Sequence, residues 1–292
     1  MACVVVGIAT VDLINVIPSY PPGGNGTNTL VICAQLGKWS SLHWIGSLVD
    51  PGASDDARFI CDDLSAYGID ISQCQYIMAS EATGSRTIFH ARDLPEVSVD
   101  HFRRVLPVIG TAGWVHFECR NALEQLEMIE IVHRTQPTAP ISIEVESSRH
   151  AWHEVQQLLP LASVAFVAKG YVTALGHRSA HEFCQHLEAQ PDIASSHHLR
   201  AVVIPWGEVG AYYYCMATRT VHHVPVEPLA TVVDAVGAGD TLVAATISAL
   251  VARQSIAAAV AFGCEVARAK CTQAGLCFSP DTLQGCQRAL LH

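Results

Sequence analysis

Lysine is nearly missing from this 292-residue chain: Lys38, Lys169 and Lys270 are the only three. With arginine the bases reach 17 against 27 acids, a net charge of −10. No basic block occurs, which argues against a charged face for nucleic acid. Charged residues of both signs make up only 15%, while half the chain is hydrophobic. That composition excludes a disordered chain. Long apolar runs are also missing. Thr241–Ala252 falls short of the ~20 residues of a membrane span, and Arg253 and Gln254 interrupt it. No basic segment precedes the apolar start Met1-Ala2-Cys3-Val4, so no signal peptide and a cytoplasmic location are expected. The eleven cysteines form no C-x-x-C pair. Their odd count and scattered spacing predict reduced, mostly buried thiols. The 15 histidines are equally dispersed, and His150-x-x-His153 has no neighbouring ligands to complete a metal site.

Local patterns predict strands alternating with helices. Val4–Ile8, Leu42–Leu48, Gln75–Met78, Arg86–His90, Trp114–Phe117, Ile141–Val145, Val164–Ala168 and Ala201–Pro205 read as strands. Asn25–Leu36, Ser54–Tyr67, Ser98–Val105, Asn121–Arg134, Trp152–Leu158 and Ser179–Ala189 read as helices. Ala211–Met216 and Thr220–Val224 suggest a hairpin, and Gly237–Ala252 and Ser255–Cys271 two closing helices. Strands and helices at this spacing imply right-handed crossovers and a mostly parallel sheet covered on both faces. One α/β domain spanning 1–292 is expected.

Two segments carry chemistry. The first is Asp234-Ala235-Val236-Gly237-Ala238-Gly239-Asp240-Thr241, at the mouth of an apolar helix. Glycines there expose backbone N–H groups which, with the helix dipole, suit a phosphate. Asp240 repels an anion but can accept a proton from a hydroxyl aimed at it. Cradle plus base is what phosphoryl transfer to an alcohol needs. A plain glycine-opened helix with an acid in its first turn would account for the same letters. The second segment pairs Asp12, after the first strand, with Gly23-Gly24-Asn25-Gly26-Thr27-Asn28. An acid and two amides at a sheet edge suit a polyhydroxylated ligand; taken alone, they also suit a turn and a helix cap. No Walker loop occurs, and Gly7-Ile8-Ala9-Thr10-Val11 lacks the later glycines of a dinucleotide fingerprint.

Gly24-Asn25-x-x-Asn28 and Gly237-Ala238-Gly239-Asp240 together resemble the two signatures of the ribokinase-type (PfkB-type) sugar kinases. His116–Gln125, Leu94–Ser98, Ser142–Glu146 and Phe262–Ala267 resemble the branch that phosphorylates ketohexoses. The likeness runs with gaps from Val4 to about Gly275. It implies a three-layer ribokinase-like fold. It makes Asp240 the catalytic base, with the amides of Gly237, Ala238 and Gly239 as anion hole. It assigns the sugar to Asp12, Gly24, Asn25 and Asn28. It assigns the nucleotide to Arg86 and to the turn Trp206, Gly207, Glu208 and Gly210, with Cys271 near the adenine. ATP and magnesium are the implied cofactors, and many members are helped by potassium. Fructose, converted to fructose 1-phosphate, is the implied reaction, with no nucleic acid or membrane partner.

The departures from that pattern are specific. Only eleven residues, Leu13 to Gly23, separate the first-strand segment from Gly24-Asn25. Two strands of ~5 residues and a turn do not fit there, and Pro18, Pro21 and Pro22 oppose ladder pairing. The stretch from Ser72-Gln73 to Arg86 is short as well. Both losses fall on the β-lid that covers the sugar and forms the usual dimer contact, so the lid is expected to be reduced or absent and a homodimer is doubtful. The magnesium-associated N-x-x-E is not at its usual place. Asn121-Ala122-Leu123-Glu124 has the letters but reads as a helix start. Glu144 and Glu146 share a strand face and either organise magnesium waters or face solvent. Lys169 ends a strand, and His222-His223 forms an exposed strand end. Three functions stay open: a ketohexose kinase, a kinase for another sugar or a nucleoside, and a catalytically impaired nucleotide- or sugar-binding protein.

Overall fold

A computed structural model describes residues 1–7, 9–11, 22–73, 75–77, 95–146 and 150–290. In chain order the strands are β1 (Ala2–Val6), β2 (Thr10–Val11), β3 (Pro22–Gly23), β4 (Ser41–Ile45), β5 (Ser47–Val49), β6 (Ile69–Asp70), β7 (Gln75–Ile77), β8 (Ala112–Glu118), β9 (Ile141–Val145), β10 (Val164–Val167), β11 (Ala201–Pro205), β12 (Ala211–Cys215) and β13 (Thr220–Val224). The helices are α1 (Asn25–Leu36), α2 (Asp55–Ala66), α3 (Val99–Ile109), α4 (Ala122–Thr135), α5 (Trp152–Leu158), α6 (Lys169–Ala174), α7 (Ala180–Glu188), α8 (Pro191–Ala194), α9 (Ala238–Val251), α10 (Ile256–Lys270) and α11 (Pro280–Ala289).

Nine strands form one sheet in the order β13-β12-β11-β10-β9-β8-β1-β4-β6. Pairing is parallel from β6 through β11, and the β12–β13 hairpin closes the other edge antiparallel. The period-2 alternation of strand side chains splits the core. Val4, Val6, Val115, Phe117, Ile141 and Ile143 face α3, α4, α5 and α7. Cys3, Val5, Trp114, Val164 and Phe166 face α1, α2, α9 and α10. Two layers of helices around one sheet give the expected three-layer α/β fold.

Serine opens five helices. Ser54, Ser98, Ser179, Ser255 and Ser279 each accept the N3 amide at 3.2 Å, starting α2, α3, α7, α10 and α11. The helices that face the site begin differently. Gly24 and Gly237 precede α1 and α9 at φ 106° and 76°, and neither supplies a capping side chain. At Gly237 a Cβ would also stand 2.7 Å from Leu276 Cδ2.

Several expectations are corrected. Leu42–Leu48 is two strands, β4 and β5, broken at Gly46, and β5 pairs with β7 outside the main sheet. Pro22 does enter a ladder, opposite Val11 in the two-residue β2–β3 pair; an edge strand tolerates a missing N–H that faces no partner. Lys169 opens α6 rather than only ending a strand. The chain does not close at residue 271, because α11 follows, started by Ser279 and Pro280. The strand expected at Arg86–His90 lies outside the described residues. The ten described cysteines are all free. Among the described residues no helix is long and apolar enough to cross a membrane.

Candidate active site

Asp240 is the third residue of α9 and is 94% buried, with a relative exposure of 6%. Helices this deeply buried are apolar on all sides; Leu242–Leu250 lies against the sheet, α1 and α10. An acid at its first turn therefore points only into the gap left at the helix mouth. There Asn28 Nδ2 donates to Asp240 Oδ2 at 2.7 Å, joining residues 212 apart in sequence. Asn25, one turn earlier on α1, lines the same space as a second carboxyl, that of Glu144 at the end of β9. The start of α1 thus faces two carboxyls from different elements.

That space is a cavity of about 430 Å³, lined by Gly24, Asn25, Asn28, Glu144, Glu146, Lys169, Gly237, Gly239 and Asp240 among others. A second cavity of about 520 Å³ adjoins it and shares Pro205, Ala235 and Gly239. Its walls are mostly apolar. They include Gly207, Glu208, Gly210, Val226, Leu229, Leu242, Cys264 and Cys271, with Ala238 and Arg268 at the rim. The mouth of α9 therefore stands between a polar chamber and an apolar one. The Ala238 N–H already donates to the Ala235 carbonyl at 3.2 Å. Thr241 N–H is the donor to Gly237 O, at 2.9 Å. The Gly239 amide lies ahead of that first intrahelical bond, among the positions a helix leaves unpaired.

The segment before α9 is pinned from behind. Lys270, fully buried on α10, donates from Nζ to the Asp234 carbonyl at 2.9 Å and to its carboxylate at 2.7 Å. Asp234 also accepts the amides of Val236 at 2.9 Å and Gly275 at 3.0 Å. Despite partial burial, the Lys270 and amide hydrogen bonds hold its carboxyl below the usual carboxylate range.

Glu144 is the residue the sequence left open. It is buried, and burial together with the charge of Glu146 pushes its carboxyl up to about 8, against the opposing hydrogen bond from Asn25. A strand pattern shows that Glu144 and Glu146 share a face, but not that α1 and α9 cover it. Other sequence readings fall as follows. Trp206 lines neither cavity; its ring meets Tyr212 edge-on at 6.0 Å, with Lys169 Nζ 5.4 Å from its centroid. Asn121 and Glu124 begin α4 away from both cavities. His222 and His223 lie along β13, stacked on Tyr213 and Tyr212 at 4.7 and 4.5 Å. Asp12 and Arg86 lie outside the described residues.

The chain as a whole matches a known family. Residues 3–283 fit the description pfkB family carbohydrate kinase. The chain belongs to that family. This pfkB kinase is 31% identical to mouse ketohexokinase over 297 aligned residues, 91% of this chain and 94% of the mouse protein. The fructokinase of Vibrio cholerae, solved with fructose, ADP and calcium ion bound, superposes with a TM-score of 0.73 at 19% identity, covering 100% of this chain and 99% of that one. Ribokinase from Giardia lamblia gives 0.72 at 14% identity, with 99% of both chains covered. Adenosine kinase from Schistosoma mansoni, in complex with 2-fluoroadenosine, gives 0.74 at 14%, over 95% of this chain and 97% of that one. The structural likenesses establish the ribokinase-like fold. The family makes this pfkB protein an ATP-dependent sugar kinase, with sugar and ATP as its small-molecule partners.

Proposed function

We propose that the kinase transfers the γ-phosphoryl of ATP to a ketohexose, with fructose yielding fructose 1-phosphate. The Asn28–Asp240 hydrogen bond in the polar chamber, with Asp240 next in the chain to the Gly239 that both chambers share, carries this reading. It couples a sugar-type amide to an acid that stands beside the amides of a helix mouth. The identity to mouse ketohexokinase supports the choice of acceptor.

In this reading the sugar occupies the polar chamber, held by Gly24, Asn25, Asn28 and Glu144, with Asp12 contributing from outside the described residues. The adenine side of ATP occupies the apolar chamber, against Gly207, Glu208, Gly210 and Cys271, and Arg86 reaches the phosphates. Trp206 supports the turn through Tyr212 rather than touching the nucleotide. Asp240 accepts the proton of the attacking hydroxyl. With the Ala238 amide engaged, the anion-facing role falls to Gly237 and Gly239. Base catalysis of this kind is worth ~10²–10⁴ in rate. Asp240→Asn is therefore expected to fold and to bind ATP by calorimetry, yet to lose at least ~10²-fold in turnover. Unchanged sugar phosphate formation would remove Asp240 from the mechanism.

Magnesium fits as a companion of the nucleotide. Among the described residues no cluster of three ligating side chains occurs, and Mg²⁺ bound by phosphates and waters needs only one or two carboxylates. Glu146, exposed at the chamber wall beside Glu144, is the carboxylate suited to order its waters. The ion would neutralise charge on the transferring phosphoryl group. A cytoplasmic location and dependence on potassium belong to the same reading. The eleven-residue interval Leu13–Gly23 supports a second one, in which the acceptor is another sugar or a nucleoside, or transfer is weak. A panel of acceptors with labelled ATP and magnesium, with and without potassium, separates them: fructose 1-phosphate as the main product supports the first, ATP binding without product the impaired variant.

A further inference from the structure

A buried polar row lies directly behind Glu144, and its role rests on the reading that the 430 Å³ chamber takes the acceptor sugar. Trp114, His116 and Glu118 share one face of β8; Ser142 and Glu144 share the same face of β9, where His116 registers with Ser142 and Glu118 with Glu144. Trp114, His116, Ser142 and Glu144 are buried, His116 and Ser142 completely. Trp114 Nε1 donates to Ser142 Oγ at 2.8 Å, and His116 Nδ1 lies 2.8 Å from the same oxygen.

The hydrogens can be assigned from this geometry. An indole N–H only donates, so Ser142 Oγ accepts from Trp114. The serine hydroxyl must then place its own proton, and His116 Nδ1 is the partner within reach. Burial holds His116 neutral, its pKa lowered to about 3. A neutral imidazole that accepts at Nδ1 carries its proton on Nε2. That Nε2 stands 3.6 Å from Glu144 Oε2. Neither atom has another hydrogen-bond partner, although both are buried. Leaving a buried polar group unsatisfied costs ~1–3 kcal/mol. Two such groups facing one another across a gap ~0.6 Å too long for a good bond form a contact that is built but not closed.

We propose that His116 is a positioning residue for the acceptor sugar. Its Nε2–H steers one oxygen of Glu144, so that the other oxygen and the Asn25 amide are presented to a sugar hydroxyl, and the His116–Glu144 contact closes when the sugar is bound. Trp114 and Ser142 set the direction of the chain. Nothing in this row reaches the apolar chamber or the reacting atoms, so its effect falls on acceptor affinity.

Steady-state kinetics with fructose and magnesium–ATP test the assignment in His116→Phe, His116→Gln, Ser142→Ala, Glu144→Ala and the double variant His116→Phe/Glu144→Ala. Phenylalanine keeps the ring volume and removes the N–H. Glutamine restores an N–H near the Nε2 position. His116→Phe is expected to raise the acceptor KM ~10-fold, the loss of about one hydrogen bond. Its kcat and ATP KM should stay within ~2-fold, and His116→Gln should recover most of the acceptor KM. Glu144→Ala should raise the acceptor KM at least as much, and the double variant should add little to it. Ser142→Ala, the mildest change, should raise the acceptor KM ~3-fold.

An unchanged acceptor KM in His116→Phe would overturn the assignment. So would a fall in kcat with both KM values rising together and no rescue by glutamine, since that marks a purely structural role. If the phenylalanine variant does not fold, the Ser142→Ala and His116→Gln values decide, and acceptor KM values equal to wild type in Ser142→Ala would count against it. Failure of the underlying reading looks different. Glu144→Ala would then leave the acceptor KM untouched, or the wild-type kinase would form no product from any sugar, and either result removes the proposal as well.

Discussion

Glu144 concentrates the tension of this site in one side chain. Its carboxyl is held near 8 by burial and by the Glu146 charge, while an unfolded glutamate titrates near 4.5. Between those values the folded state binds more protons than the unfolded one, so stability falls as pH rises. The penalty is absent below about 4.5 and complete above about 8. Glu144→Gln removes it. The variant should melt above wild type at pH 8.5, by ~5 °C for ~2 kcal/mol, and should match it near pH 4.5; thermal unfolding across that range checks both the sign and the window. Gly237 poses a steric constraint at the same scale. Its φ of 76° strains any side chain placed there, and a Cβ would have to push the Leu276 side chain aside. Gly237→Ala should lose ~1–2 kcal/mol in denaturant unfolding and more in turnover, because the amides at the helix mouth shift with it.

The unit that matters among elements is the pair α9 and α10. Gly263 lets them approach: a methyl there would collide with Thr246 Oγ1 and stand 2.9 Å from the Leu242 carbonyl. The close approach brings the end of α10 under the 234–237 segment, where the Lys270 ammonium is wholly buried against Asp234. Removing Lys270 leaves the partly exposed Asp234 carboxylate with only its two backbone amides, at a cost of ~1–3 kcal/mol. Lys270→Met should therefore lower the melting temperature. It should also reduce kcat, since Asp234 holds the Val236 amide one residue before Gly237. A melting temperature that falls while kcat per folded molecule stays constant would show that the pinned segment is not needed for transfer.

At the scale of the whole molecule, the short Leu13–Gly23 interval makes a prediction. Among the described residues, the two-residue β2–β3 pair and the three-residue β5–β7 pair stand outside the nine-stranded sheet. A lid excludes water from the transfer site. If the lid is as short as that interval implies, phosphate release from ATP in the absence of sugar should be a measurable fraction of the transfer rate, and fructose should suppress it. Tight coupling, with no phosphate released unless sugar is present, would show that other segments close the chamber. Analytical ultracentrifugation is expected to give a monomer, because the long lid strands that would form the usual dimer contact have no room in the sequence.

The nine-stranded fold was largely legible from local pattern. Asn25–Leu36, Ile141–Val145, Trp152–Leu158 and Ala201–Pro205 have the bounds their periodicity predicts. Helix periods, glycine stops and serine caps are short-range features, set by neighbours a few residues away. Even α11 has a local signal, the capping run Ser279-Pro280-Asp281. The position of Asp240 and its glycines at a helix mouth was legible for the same reason, since a helix mouth is local. What local pattern does not contain is company. That Asn28 meets Asp240, that Lys270 reaches Asp234, and that Trp206 packs on Tyr212 and lines neither cavity depend on which surfaces pack together. Glu144 shows why: a carboxylate on a strand is solvated or protonated according to what covers it, and desolvation is a property of the assembled layers rather than of any stretch of chain.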